Sequence, residues 1–183
     1  MPKDCPDGFT PYWQQSVFCS TAVEALVKLM PPAKRPSVGL ASLSGLLHNF
    51  GYLVLAHTFP PHFASICRYV EANPQISHTA IDHHLLGVTR EQISAWLMQL
   101  WNMPPEVSVA LRFQNESDYE GEHCVYAHLI FIAMRILRHH GIGDVPPEEI
   151  PLALYQRYDL DPVKVAAAID KVIASSEDIK KMA

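Results

Sequence analysis

His48 and Asn49 are the residues of this chain whose type and place first ask for a chemical explanation. They stand inside an apolar stretch, Val38–Phe59 (VGLASLSGLLHNFGYLVLAHTF), and no Asp, Glu, Lys or Arg occurs from Pro36 through Cys67. Burying two polar side chains without partners costs roughly 1–3 kcal/mol each, so the pair marks either a partnered core motif or a functional site. Ten histidines widen the search to metal chemistry. His83-His84 and His139-His140 are adjacent pairs, and helix neighbours point about 100° apart, so neither makes a two-ligand site alone. His78 and Asp82 have i, i+4 spacing, but just before a stop at Gly87 they read as a solvated face. H-E-x-x-H and the glycine-rich phosphate and nucleophile-elbow motifs do not occur. Cys5, Cys19, Cys67 and Cys124 are scattered without a C-x-x-C pair, which indicates neither a disulfide framework nor a zinc knuckle. Cys19 and Cys67 fall on apolar faces and read as core residues.

These residues must be positioned by helices, because the chain reads as helix after helix with prolines at the gaps. Pro-Pro pairs at 31–32, 60–61, 104–105 and 146–147 each separate two periodic segments. Proline suits a first helical turn and disfavours helix in the residue before it. A helix is expected over Pro11–Met30, and Val38–Phe59 reads as one buried helix capped by Ser37 or Ser42. On that helix Leu43, Leu46, Leu47, Phe50 and Val54 form an apolar face, while Ala41, Ser44, Gly45, His48 and Tyr52 form a small, polar stripe. Further helices follow over Pro61–Ala72 and Ser77–Leu86. Thr89 with Gln92 is a capping-box signature for a helix through Trp101, whose apolar face is Ile93, Trp96, Leu97 and Leu100. Pro105–Phe113 and His123–His140 are helical, the latter apolar on nearly all sides and hence central. Two tail helices lie near Glu148–Tyr158 and after an Asp161 N-cap with Pro162 at N1. With no strand alternation, the class is all-α, a multi-helix bundle of about 8–10 helices without a sheet.

Composition narrows the function. The 183 residues fit one domain, 1–183, with an irregular start at 1–10 and a helical tail at 146–183. Hydrophobic residues make up 49% and charged residues 18%, which excludes disorder. A net charge of −5 without a Lys/Arg run argues against nucleic acid as a partner. The apolar stretch has the length of a membrane span, but Gly39, Gly45, Gly51, the His-Asn pair and His57 count against one, and no membrane is expected as partner. The N-terminus lacks a basic segment followed by an apolar one, and unpaired cysteines suit a reducing compartment, so a cytoplasmic location is expected.

The segments GLASLSGLLHNFGYLVLA and LLGVTREQISAWLMQLWNMPPEVSVALRFQNES carry an ordered set of landmarks. A Trp-x-x-Ser helix start leads, followed by L-L-H-[DN]-x-G and L-G-V. A-W-L-x-x-x-W-x-[LM]-P, an A-[IL]-x-[FY] segment and a long final helix come after. In that order, from about Trp13 to Leu137, they make the chain resemble the HDOD family, HD-related output domains of bacterial signalling proteins. The resemblance implies a bundle of HD-domain type, related to phosphohydrolases that hold divalent metal with His, a His-Asp doublet and a later Asp. HDOD domains usually carry a further helical half before the Trp-x-x-Ser helix, so the chain reads as the C-terminal half of the usual domain.

The resemblance also allows those metal positions to be compared residue by residue. The first-helix His falls on Gln15, the doublet on His48-Asn49, the His after L-G-V on Arg90, the His-His pair on Gln114-Asn115, and the closing Asp on Met134. Of the implied ligands only His48 is kept, as a vestige. Amides, a thioether and a permanent cation make a poor donor set, so neither a metal nor any other cofactor, and no catalytic residue, is expected. The implied function is a non-catalytic regulatory domain that meets a protein partner in bacterial signal transduction. The competing reading is a metal-dependent phosphohydrolase acting on a nucleotide or phosphoester. Gln15, His48, Asn49, Arg90, Gln114 and Asn115 are the candidate polar pocket, in which Arg90 would favour an anionic or nucleotide ligand. A homo-oligomer is expected, because a chain lacking the usual first half should leave apolar surface to cover.

Overall fold

The computed structural model describes residues 5–8, 10–146 and 148–176, and among these residues the fold is helical throughout with no strand. The helices are α1 (Tyr12–Leu29), α2 (Val38–Leu47), α3 (Phe50–Thr58), α4 (Pro60–Ala72) and α5 (His78–Leu86), then α6 (Arg90–Leu100), α7 (Pro105–Phe113), α8 (Cys124–His139), α9 (Leu152–Arg157) and α10 (Pro162–Ser175), with a 3-10 turn at Pro32–Lys34. Local chemistry accounts for most boundaries. Thr89 Oγ1 accepts from the Gln92 N–H while the Gln92 side chain accepts from the Thr89 N–H, a full capping box. Asp161 accepts from Val163 and Lys164, and Ser37 caps α2. Gly87 closes α5 at φ +74°, a conformation glycine adopts without a Cβ penalty. Pro60-Pro61 and Pro104-Pro105 open α4 and α7; Pro147 lies outside the described residues.

The expected single helix over Val38–Phe59 is in fact two. It breaks at His48-Asn49, where Asn49 (φ −98°, ψ 11°) leaves helical geometry and α3 restarts. The run passes a length-and-composition test for a membrane span, yet less than half of its most apolar window is buried in the fold. Its inner face is also not the leucine face. Ala41, Ser44, Gly45, His48 and Tyr52 are buried, while Leu46 is exposed and Leu43, Leu47, Phe50 and Val54 are only partly covered. Gly45 explains the choice, because a Cβ there would come 2.9 Å from Ser20 Cα and 3.1 Å from the Cys19 carbonyl oxygen of α1. Two backbones can approach so closely only through a small residue. Ser20 Oγ seals the contact on the Ser42 carbonyl at 2.9 Å.

α6 is inverted in the same way. Arg90, Glu91, Ser94, Ala95 and Met98 are buried, whereas Trp96 and Leu100 of the apolar face are exposed. Gly51 of α3 sits against the Arg90 carbonyl, where a Cβ would clash, and its N–H donates to Ser94 Oγ at 2.8 Å.

The deepest element is α8, buried at every residue from Tyr126 to Leu137. With α1 and the tail residues Leu154, Tyr158, Leu160, Val165 and Ile169 it builds the main core. A second cluster joins α3, α4 and α5 around the edge-to-face rings of Tyr12, Tyr52 and Phe63, 5.2–6.1 Å apart. A third, Met98, Val107 and Leu111, joins α6 to α7. Polar residues from α1, α3, α5, α6, α7 and the loop after α8 meet between these clusters.

Candidate functional site

Arg90 is the hub of this polar junction. It opens α6, is buried to 3% exposure, and directs its guanidinium inward, so it must find an anion or pay heavily for desolvation. The anion is Asp144, in the loop after α8: Arg90 Nη1 donates to Oδ2 at 2.6 Å and Nη2 to Oδ1 at 3.1 Å. Such a two-pronged pair is the geometry in which guanidinium and carboxylate match best. His78 Nδ1 stands 2.9 Å from the same Oδ2. Arg90 Nε donates to Glu91 Oε1 at 3.2 Å, and its cationic carbon lies 4.7 Å from the Tyr52 ring centroid. Beneath it, Asp82 accepts from the Tyr52 hydroxyl at 2.5 Å and from the Arg90 backbone N–H at 3.1 Å.

Of the six residues proposed from sequence, Gln15, Asn49, Arg90 and Asn115 are joined into this network, while His48 and Gln114 form a separate link beside it, and the six do not line one pocket. Asn49 accepts from Arg90 Nη1 at 3.3 Å and donates to Gln15 Oε1 at 3.2 Å, and Gln15 donates on to the Thr10 carbonyl at 2.7 Å. Gln114 Nε2 donates to the carbonyls of His48 and Leu111, both at 3.1 Å, pinning α7 to the α2–α3 break. Asn115 donates to Glu91 Oε1 at 2.8 Å and accepts from Arg135. His48 Nδ1 lies 2.7 Å from the Gly45 carbonyl, so that nitrogen carries the proton. A small cavity of about 10 Å³, room for about one water, is lined by Gln15, Cys19, His48, Met134 and Asp144 among others. Arg90, Asn115 and Asp144 instead border an open cleft of about 350 Å³, with Arg112, Arg135, Glu91, Glu116 and Glu148. Asn49 and Gln114 are buried and line neither.

Several members escaped the sequence. Asp144, Tyr52, Ser94 and Glu91 were not singled out as site residues, and His78 and Asp82, read as a solvated face, are 7% and 0% exposed. They do not act as one i, i+4 pair, since His78 meets Asp144 and Asp82 meets Tyr52 and Arg90. The need for Asp144 is visible only once Arg90 is known to be buried. A buried arginine demands a buried acid, and Asp144 follows Gly143, whose φ of +107° suits glycine alone and turns the chain inward at that point.

Electrostatics follow the geometry. Burial would raise the Asp144 carboxyl, but the Arg90 guanidinium and then His78 overcome it and hold the group well below the usual carboxylate range. Burial would lower Arg90, and Asp144 with Glu91 more than restores it. Asp82 is pushed up to about 6, chiefly by burial. Burial also takes His48 down to about 4, so it is neutral near pH 7. Among the described residues no three His, Cys, Asp or Glu side chains converge as a metal-ligand set.

Comparison with known proteins places this geometry. A family model described as HDOD domain matches residues 2–117, which spans α1 to α7 and stops short of the Leu137 limit read from the sequence. An uncharacterized protein from Treponema pallidum (strain Nichols) is 25% identical over 147 residues, 77% of this chain and 27% of the relative. Among solved structures, a candidate signal transduction protein from Marinobacter aquaeolei VT8 is 43% identical with a TM-score of 0.92, covering 99% of this chain and 40% of that one. A candidate phosphohydrolase from Shewanella amazonensis SB2B shares the fold at 21% identity and a TM-score of 0.67, over 97% of this chain and 63% of that one. The chain therefore spans less than half the length of the Treponema and Marinobacter relatives.

Proposed function

The chain belongs to the HDOD family, and from that premise we propose that it is a non-catalytic regulatory domain that works by protein contact in bacterial signal transduction. The carrying observation is that the Arg90 guanidinium, at a position where the family resemblance implies a metal-binding His, is held by Asp144. The donor set there does not fit a divalent cation. It comprises one imidazole with Nδ1 already engaged, four amides and a thioether, beside a permanent positive charge whose own counter-ion is the nearest acid. A cation entering would have to take Asp144 from Arg90. In this reading the arginine fills the electrostatic role of the ion and freezes the junction of α1, α3, α6 and α7 instead of activating water.

Likeness to a signalling protein over nearly the whole chain supports the regulatory half of the proposal. The domain then needs no cofactor, meets protein and not nucleic acid or lipid, and works in the bacterial cytoplasm. A panel of phosphomonoester and phosphodiester substrates with magnesium, manganese or zinc tests the catalytic half. No turnover above a His48→Ala control is expected, and metal-dependent turnover abolished by that change would restore the hydrolase reading.

One observation favours a ligand beside this role. The 350 Å³ cleft carries Arg90, Arg112 and Arg135 on its walls, paired with Asp144, Glu116 and Glu148, and an anion entering it would have to draw Arg112 from its exposed partner Glu116. A nucleotide or other small anion held there would be a regulatory ligand. Raised melting temperature with nucleoside phosphates, lost in Arg112→Ala, is the expected sign.

A further inference from the structure

The first turns of α8 and the end of α9 bring four side chains together outside the Arg90 junction. Cys124 opens α8, where the helix dipole places partial positive charge. Arg157 Nη2 donates to Cys124 Sγ at 3.4 Å, and the Tyr158 hydroxyl stands 3.9 Å from the same sulfur. On its other side that hydroxyl meets His128 Nδ1 at 2.6 Å. His128 lies one turn along α8 from Cys124 and is fully buried, and its Nε2 makes no hydrogen bond. Cys124 itself is only half-buried, in contrast to Cys19 and Cys67, which solvent does not reach.

The protons of this row can be placed by counting. With Nδ1 donating to Tyr158 and the hydroxyl turned to the sulfur, both the thiol proton and the Nε2 lone pair lack a partner. With Nδ1 accepting, the thiol donates to the hydroxyl, the hydroxyl donates to Nδ1, and only the Nε2 N–H is left over. The second arrangement is better satisfied. It forms a directed row from Sγ through Tyr158 Oη to an imidazole that can take a proton. Burial, and then Arg157, hold His128 below its ordinary value, so it stands neutral there. A nucleophile in hydrogen-bond reach of a base is the arrangement that activates side-chain sulfur, and Tyr158 here links the two.

We propose that Cys124 is a redox-modification site, oxidised reversibly to the sulfenic acid by a hydroperoxide, with His128 acting as its base through Tyr158. Sulfur attacks one peroxide oxygen, so an S–O bond forms and the O–O bond breaks. The thiol proton passes to Tyr158 Oη as the tyrosine proton passes to His128 Nδ1. The imidazolium returns a proton by the same route to the departing oxygen, which leaves as water or an alcohol. Sulfur is oxidised by two electrons and the peroxide is reduced by two. Arg157 sets a positive charge beside the reacting atoms, and its pairing with Glu120 at 3.3 Å is exposed and weak. A dithiol restores the thiol, releasing water and forming its own disulfide. The added oxygen enters the contact between the start of α8 and the end of α9, so oxidation acts on the seat of the helical tail.

The test treats the 183-residue protein with limiting hydrogen peroxide, traps sulfenic acid with dimedone and reads each cysteine by mass spectrometry. Cys124 should form the adduct at least about 10-fold faster than Cys5, which is also half-buried. Cys19 and Cys67 should stay unlabelled. Tyr158→Phe and His128→Gln should each slow Cys124 at least about 10-fold and leave the Cys5 rate unchanged, a selectivity that a loosened fold would not give. Dithiothreitol, added after the peroxide is removed and before dimedone, should erase the signal. If either variant fails to melt cooperatively, Arg157→Ala at the surface takes its place, again with slower labelling of Cys124 expected. Cys124 reacting no faster than Cys5 overturns the proposal, as do folded variants that keep the wild-type rate. Labelling that dithiothreitol does not prevent overturns the reversible step.

Discussion

Arg90 and Asp144 face one another across the interior, 54 residues apart in sequence, with guanidinium nitrogens 2.6 and 3.1 Å from the two carboxylate oxygens and 4% or less of either side chain exposed. The pair ties the start of α6 to the loop after α8, and Asn49 and His78 fasten the α2–α3 break and the start of α5 to the same two groups. Four separate segments thus share one buried ion pair. That arrangement suits a domain whose parts must hold a fixed geometry.

Removing one partner should cost far more than removing both. Asp144→Asn leaves a buried guanidinium without its counter-ion and is expected to lose about 3–5 kcal/mol, read by urea unfolding. Arg90→Met combined with Asp144→Leu should recover much of that loss. A double variant as unstable as the sum of the two singles would mean that the pair is not coupled.

The close helix contacts make a second prediction. Gly51→Ala drives a Cβ into the Arg90 carbonyl, and Gly45→Ala drives one into the α1 backbone. Each should destabilise by about 2 kcal/mol or more, since backbone and not a flexible side chain must yield. Gly39→Ala, in the same helical stretch with nothing near its Cβ, should be neutral or stabilise by up to about 1 kcal/mol. Thermal melts of the three variants separate packing from propensity.

Protonation gives a third. His48 falls from 6.5 to about 4 on folding, so the stability it contributes is complete above pH 6.5 and drains away as pH falls toward 4. Asp82 rises from 3.8 to about 6, so its contribution is complete below pH 3.8 and is lost as pH rises through 6. The two slopes oppose each other between about pH 4 and pH 6. His48→Gln removes one of them. The stability gap between wild type and that variant should shrink by about 3 kcal/mol from pH 7 to pH 4, and a gap independent of pH would refute the buried, neutral imidazole.

Much of this is legible in the sequence alone. Thr89-Gln92, Asp161-Pro162, Gly87 and three of the proline pairs fixed helix ends by local chemistry, which acts within a few residues and is therefore written in the chain. The convergence of Gln15, Asn49, Arg90, Gln114 and Asn115 was legible only through the family resemblance, because nothing in their spacing brings them together. Two things were not legible. Helix periodicity finds an apolar stripe but does not say that it faces inward, and in α2, α3 and α6 the polar hub claims the inner side instead. Asp144 lies in an irregular loop, where no period operates, and its partner is far away in sequence. The His48-Asn49 break was hidden for a related reason. An uncharged run looks continuous, while the interruption comes from the tertiary bonds of Asn49 to Gln15 and Arg90.

The central claim is that an arginine, and not a metal ion, supplies the positive charge at this junction. Elemental analysis of the protein purified from cells grown with added manganese, iron and zinc tests it most directly. The account predicts well under one equivalent of any of these metals per chain, and no change on His48→Ala. One tightly held equivalent that disappears with His48→Ala would contradict it.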